Sequence, residues 1–272
     1  MTVPQIKLAD GHVIPQIGLG LWHVTDQNDF RTAFKAAIKA GYRMFDSAQY
    51  YRNEQFFGES IKNSKINRSE IFITSKIAYT NFGYNRTIDS FHESLKKLEV
   101  EYIDLMLLHF PVSILRKKSW QALEDLKEVG LVRSIGVSNY TIRHIEELKN
   151  YAKEMPVVNQ VELHVFLQQP DLVDYCRKHN IAVEAYSPLA QASKMTEPLV
   201  LEIAEKYHKS YAQIMLRFLI QKDLIVIPKS VTPSRIEENM KIFDFNLDKA
   251  DMSKLEQLDR GLHTAWNPTL VP

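Results

Sequence analysis

Gly41-Tyr42-Arg43-Met44-Phe45-Asp46-Ser47-Ala48-Gln49-Tyr50-Tyr51-Arg52-Asn53-Glu54 reads as a helix cap, a short buried strand, a polar turn and the start of another helix. Met44 to Asp46 is the strand, and it ends in a carboxylate. A charge carried out of water at a sheet rim is costly unless a cation meets it. Lys76, at the end of the next strand, is the best cation for Asp46.

The same unit recurs on both sides of this stretch. Upstream, Phe30, Ala33, Phe34, Ala37 and Ile38 recur at helical spacing, and Gly41 closes that helix. Downstream, strands are predicted over Glu70–Lys76, Ile103–Leu108, Ser134–Val137, Val157–Leu163, Ile181–Tyr186 and Leu224–Ile227. The Ile103–Leu108 run is apolar apart from Asp104, as a strand buried on both faces should be. Helices are predicted over Glu54–Ile61, around Ile88 to Leu98, and over Trp120–Val129, Ile142–Tyr151, Gln169–Lys178, Leu199–Tyr207, Tyr211–Ile220 and Leu247–Leu258. Another opens at Thr232-Pro233, a cap followed by proline in the first turn. With Ile17–Gly20 the strands number about eight. Such alternation implies parallel strands with right-handed crossovers, and the count favours a (β/α)8 TIM barrel over an open sheet. Ala9-Asp10-Gly11 between Gln5–Leu8 and His12–Pro15 signals an N-terminal β-hairpin, expected to plug one end.

The 272 residues contain 45% apolar and 25% charged side chains. No linker-like composition shift divides them, so one domain over residues 1–272 is expected. Lysine plus arginine is 34 against 33 for aspartate plus glutamate, a net charge of +1. This gives no electrostatic case for nucleic acid or an anionic membrane. Cys176, the single cysteine, cannot close an intramolecular disulfide, and no apolar signal-peptide core follows Met1. The cytoplasm is the expected compartment and a monomer the expected state.

In a barrel, the strand C-terminal ends open on one face, where active sites sit. Asp46, Lys76, His109, Ser138-Asn139, Gln160 with Glu162, Tyr186-Ser187 and Lys229-Ser230 all fall at such ends. Singly, a polar residue ending a strand is usually just leaving the core, and Asp46 with Lys76 is as often a structural ion pair. The recurrence around a rim favours chemistry. A free tyrosine, with a pKa of about 10, is a weak acid near neutrality, and a cation beside it favours phenolate. Lys76 could supply that cation and Asp46 could hold it. His109 could bond a carbonyl or share in the proton transfer. Spacing alone leaves Tyr50 and Tyr51 as competing donors.

Other motifs fail. Gly18-x-Gly20 lacks a third glycine because residue 23 is His23. His92-Glu93 lacks the second histidine of a zinc helix, and one cysteine makes thiolate metal sites implausible, so no metal is expected. Gly136-Val137-Ser138-Asn139-Tyr140 lacks the last glycine of a serine-hydrolase elbow.

The ordered motifs resemble the aldo-keto reductase family, over residues from about Lys7 to Phe245. Asp46-Ser47-Ala48-Gln49-Tyr50-Tyr51-Arg52-Asn53-Glu54 is similar to the family's Asp-(Thr/Ser)-Ala-x-x-Tyr-x-Asn-Glu signature. Ile73-Thr74-Ser75-Lys76, Leu107-Leu108-His109-Phe110-Pro111, Gly130 to Asn139 and Ile227-Pro228-Lys229-Ser230 complete the set. The resemblance implies a carbonyl reductase using NADPH on a small-molecule carbonyl substrate, with Tyr51 the general acid, tuned by Lys76 and Asp46, and His109 orienting the carbonyl. It implies Ser138, Asn139 and Gln160 on the nicotinamide carboxamide, Tyr186 stacked on the ring, and Ser187 and Leu189 along the pyrophosphate. Lys229, Ser230 and Arg235 would grip the 2′-phosphate, and Glu238 and Asn239 would face adenine. Gly20, Leu21, Ala212 and Ile227 would also touch the cofactor. Two cations and a hydroxyl near a helix start suit a phosphomonoester in their own right, which favours NADPH over NADH.

Trp22 and Phe110 are expected to line the substrate pocket, Phe110 standing where the family often has tryptophan. Only a short segment, including Ala265-Trp266-Asn267-Pro268, follows the last helix, so the long C-terminal loop of animal members looks absent. The chain is more similar to short microbial members acting on small dicarbonyls and keto sugars. A non-catalytic NADPH-binding redox sensor and a Schiff-base aldolase using Lys76 are the alternatives.

Overall fold

The computed structural model describes residues 3–192 and 196–271. Strands β1 (Gln5–Lys7) and β2 (Val13–Pro15) form the expected antiparallel hairpin. Eight parallel strands follow: β3 (Leu19–Gly20), β4 (Met44–Asp46), β5 (Phe72–Ile77), β6 (Ile103–Leu108), β7 (Val132–Ser138), β8 (Val158–Glu162), β9 (Ala182–Tyr186) and β10 (Ile225–Val226). They pair in sequence order, each with the next. Bridges Ile17–Val226 and Gly20–Lys229 join the two ends of the row. At that seam Gly18 N–H donates to the Val226 carbonyl at 2.9 Å, and Gly20 N–H to that of Pro228 at 3.1 Å. The ring is thereby closed, and the TIM-barrel reading holds.

Helices α1 (Gln27–Ala40), α2 (Glu54–Ser64), α3 (Tyr84–Leu98), α4 (Arg116–Glu128), α5 (Ile142–Leu148) and α6 (Pro170–Lys178) each connect one strand to the next. Two helices, α7 (Pro198–Tyr207) and α8 (Tyr211–Gln221), lie between β9 and β10, and α9 (Pro233–Met240) and α10 (Lys249–Glu256) follow β10. Gly41 caps α1 at φ 103°, where a side chain would be strained. Asp26 caps the other end, accepting from the N–H groups of Asn28 and Asp29. Thr232 precedes α9 as expected, but its side chain makes no capping bond; its own N–H instead donates to Ser230 Oγ at 3.1 Å.

Two apolar cores result. The larger fills the space between sheet and helices, from Phe30, Phe34, Phe45 and Phe57 round to Trp120, Phe166 and Phe218. The smaller fills the barrel and contains Met44, Leu105, Leu107, Val158, Ile225 and Ile227, sealed by Leu8 and Ile14 from the hairpin. The hairpin therefore plugs the end where the strands begin. Side chains two apart along a strand share a face. From Met44, Leu107, Val158 and Ile227 this sends Asp46, His109, Gln160 and Lys229 inward or to the rim where the strands end.

Candidate active site

Lys76 is fully buried in β5, and Asp46, at the end of β4, is 2% exposed. Lys76 Nζ donates to Asp46 Oδ1 at 2.6 Å, to the Ser47 carbonyl at 2.9 Å and to Tyr51 Oη at 3.3 Å. Its three N–H groups are thus fully used. The geometry separates the two adjacent tyrosines: Tyr50 is 58% exposed, whereas the Tyr51 hydroxyl meets the ammonium. A short helical turn over Gln49–Tyr51 makes the difference, with Gln49 anchoring it through the Ala78 N–H and Asn81.

His109 follows β6 and is buried. Its ring meets Tyr51 edge-on at 5.8 Å and stacks on Phe110 at 4.4 Å. Its Nδ1 has no hydrogen-bond partner among the described residues. Burial, and then the Lys76 charge, hold its pKa well below the ordinary histidine value, so the ring is neutral.

The tyrosine differs from the sequence expectation. Burial outweighs the lowering by Lys76, and the phenol is raised to about 12. Lys76 therefore does not make Tyr51 a free acid at neutrality; it reduces the cost of phenolate in a site that otherwise forbids it. Burial also opposes the Lys76 ammonium, yet Asp46 and Tyr51 keep its pKa above that of free lysine.

Next to this group lies a second network. Asn139 takes a left-handed backbone, φ 66°, a conformation asparagine tolerates. Its amide donates to the His109 carbonyl at 3.0 Å and to Ser138 Oγ at 3.1 Å, and its oxygen accepts from Tyr186 Oη at 2.9 Å. Ser138 Oγ donates to the Gln160 carbonyl. Gln160 Nε2 donates to Asp46 Oδ2 at 2.8 Å and to Glu184 Oε2 at 3.1 Å. Both N–H groups of that amide are committed, which leaves its oxygen as the atom it can offer a ligand.

Around the rim, Ser187 and Leu189 follow β9 and are half-buried, with the Ala190 N–H closing a turn on Ser187. Gly20 and Ile227 meet at the barrel seam: a Cβ on Gly20 would lie 2.8 Å from the Ile227 carbonyl oxygen. The Leu21 N–H donates to the Asp46 carbonyl, binding that seam to the carboxylate strand. Ala212 and Asn239 are buried on α8 and α9, and Glu238 accepts from Ser210 Oγ. Lys229 and Arg235 are exposed beside the start of α9 and form no ion pair among the described residues. Unpaired cations beside a buried serine, Ser230, form a fitting cradle for a phosphate.

Aromatic rings line the opening. Tyr79 and Phe110 have centroids 6.1 Å apart, and Trp266 stands edge-on to Phe110 at 5.0 Å. Trp22 is 43% exposed just after β3 and packs edge-on against His23. Neither Trp266 nor Glu184 stands out from the sequence pattern as a site residue. The signal for Glu184 was present in the period-two pattern, which puts it on the face of Tyr186. A groove between Lys7, Leu8, Arg177 and Leu224 lies at the hairpin end, away from these groups.

A buried carboxylate–ammonium–phenol row, a neutral histidine and an aromatic mouth at the ends of parallel barrel strands agree with one family, and its model, the aldo/keto reductase family, matches residues 16–260. This chain belongs to the aldo/keto reductase family. It is an oxidoreductase acting on carbonyl groups. A methylglyoxal reductase of Escherichia coli O157:H7 is 42% identical over 97% of this chain and 96% of its own. A glyoxal reductase of Bacillus subtilis is 43% identical over 97% and 95%. Among solved structures, an aldo-keto reductase of Bombyx mori in complex with NADP has a TM-score of 0.92 at 34% identity, covering 97% of this chain and 95% of that one.

Proposed function

We propose that this aldo/keto reductase uses NADPH to reduce small aldehydes and ketones, dicarbonyls such as methylglyoxal and glyoxal among them, and that Tyr51 protonates the carbonyl oxygen. The observation that carries the reading is Lys76 Nζ, 2.6 Å from a buried carboxylate and 3.3 Å from the Tyr51 hydroxyl. When bound, NADPH supplies the hydride. Tyr51 holds the proton that the reduced oxygen takes. Lys76 stabilises the phenolate left behind, in a water-poor site where that attraction is strong. His109, neutral, serves as a hydrogen-bonding group that orients the carbonyl.

The remaining residues suit the cofactor. The Gln160 oxygen, with Ser138 and Asn139, can receive a carboxamide, and the half-buried Tyr186 ring offers a stacking face. Lys229, Ser230 and Arg235 would hold the 2′-phosphate, Ser187 and Leu189 the pyrophosphate, and Glu238 and Asn239 the adenine. Gly20, Leu21, Ala212 and Ile227 would also touch the cofactor. Trp22 and Phe110, joined by Trp266, bound the substrate. Every member of the proposed acid–base set comes from one chain, so a single-domain monomer suffices. Among the described residues no helix is long and apolar enough to cross a membrane. Cys176 is buried and free, which supports a reducing, cytoplasmic setting. The Schiff-base alternative is disfavoured because Lys76 is held as ammonium.

Tyr51→Phe tests the assignment. Methylglyoxal reduction should fall by about 10²–10⁴-fold, while NADPH still quenches protein fluorescence. Undiminished turnover in that variant would remove Tyr51 from its role.

A further inference from the structure

Glu184 sits at the centre of the barrel, two residues before Tyr186 on β9 and in register with Gln160 on β8. It is fully buried, and its Oε1 has no hydrogen-bond partner among the described residues. Its Oε2 accepts from Gln160 Nε2 at 3.1 Å, and the same nitrogen donates to Asp46 Oδ2 at 2.8 Å. One amide thus joins two carboxyl groups, of which only Asp46 reaches the ammonium of Lys76. Were both ionised, two buried anions would share one buried cation, an arrangement the interior resists.

We propose that Glu184 is a positioning residue for the Tyr51 acid: as a neutral carboxyl it leaves Asp46 the only anion set against Lys76, and its ionisation weakens the support Lys76 gives to phenolate. This rests on Tyr51 being the proton donor. The groups facing Glu184 agree with it. Asp46 comes from β4, Lys76 from β5 and Tyr51 from the turn after β4, while β10 contributes apolar Ile225 in register. Burial, and then the Asp46 charge, raise the Glu184 carboxyl to about 8, against the opposing pull of Gln160 and Lys76. Its negative charge in turn raises Tyr51. Glu184 is therefore neutral at pH 7 and becomes an anion in the mildly alkaline range, just where an added charge works against a phenolate.

The test is kcat for carbonyl reduction as a function of pH. In the native protein kcat should drop about tenfold as pH rises through Glu184 ionisation, the size expected for one unit charge acting across a few ångströms of protein. Glu184→Gln should follow a profile without that step, with KM for the carbonyl changing far less than kcat. Superimposable profiles would overturn the proposal. A readout free of turnover is the ¹³C signal of glutamate carboxyls in the native protein. One should titrate near pH 8, and Glu54→Gln separates it from Glu54, which burial also raises. Absence of such a signal would overturn the proposal even if the variant failed to fold. Full turnover in Tyr51→Phe would instead sink the reading beneath it, leaving the carboxyl titration intact.

Discussion

The backbone N–H of Thr264 donates to Glu162 Oε1 at 2.7 Å, so a carboxylate at the end of β8 holds the segment that follows α10. The Thr264 hydroxyl, the Ala265 N–H, His164 and His263 bond the same carboxylate. Held there, the chain sets Trp266 edge-on against Phe110, the ring that stacks on His109. Burial works against the anion, but His164 and the Thr264 bonds outweigh it and hold the carboxyl at about 2. A carboxyl depressed in the folded state stabilises above its unfolded pKa, about 4.3, and that contribution fades as pH falls toward the folded value. Glu162→Gln should speed amide exchange at Thr264 and Ala265. The loss of bonds to buried groups should cost about 1–3 kcal/mol in urea unfolding.

His109 has the opposite linkage to a histidine that gains an anionic partner on folding. Its folded pKa lies well below 6.5, so the unfolded chain binds a proton that the folded one refuses. Stability must therefore fall as pH drops below about 6.5, by at most about 1.4 kcal/mol per pH unit for this one group. His109→Gln should remove that part of the slope between pH 7 and 5, measured as the difference between urea midpoints of the two proteins. An unchanged slope would mean that His109 is charged in the fold.

The barrel was readable where a strand is a compact apolar run. Met44–Asp46 and Ile103–Leu108 keep their predicted limits. Ile17–Gly20 and Leu224–Ile227 shrink to Leu19–Gly20 and Ile225–Val226, because at the closing seam pairing survives as isolated bridges. Asp46, Lys76 and His109 stand out because each falls at or next to the C-terminal end of a strand readable from the sequence. Glu184 did not, since a lone charge within a strand marks no boundary. Trp266 was also hidden, as its place depends on Phe110 and Glu162, distant in sequence, and leaves no periodic trace. For the Tyr51 phenol the sequence shows the cation but not the burial, which is the larger influence.

Lys229 and Arg235 should distinguish the two nicotinamide cofactors. Neither has an ion-pair partner among the described residues to give up. A hydrogen bond to a charged group is worth about 1.5–3 kcal/mol, or roughly 10–100-fold in affinity. Alanine at either position should weaken NADPH by that factor in a fluorescence titration and leave NADH almost unaffected. The NADPH difference should also narrow as salt is raised. Equal losses for both cofactors would place these cations away from the 2′-phosphate.

Asp46 and Lys76 should be far more coupled than a surface pair. Both are buried, and their 2.6 Å contact has almost no solvent to screen it. Asp46→Asn leaves a buried ammonium without its counter-charge, which should cost about 3–5 kcal/mol. Lys76→Met strands the carboxylate at similar cost, though Gln160 still bonds its second oxygen. Combining the two substitutions removes both charges at once, so the double variant should be more stable than the sum of the single losses predicts, by about 1–3 kcal/mol. Activity should behave differently: neither the single nor the double variant retains a cation beside Tyr51 that an anion pins, so recovered stability should bring no recovered turnover. Additive urea-unfolding losses would show that the pair does not act as a unit, and rescue of turnover in the double variant would show that Tyr51 needs no cation.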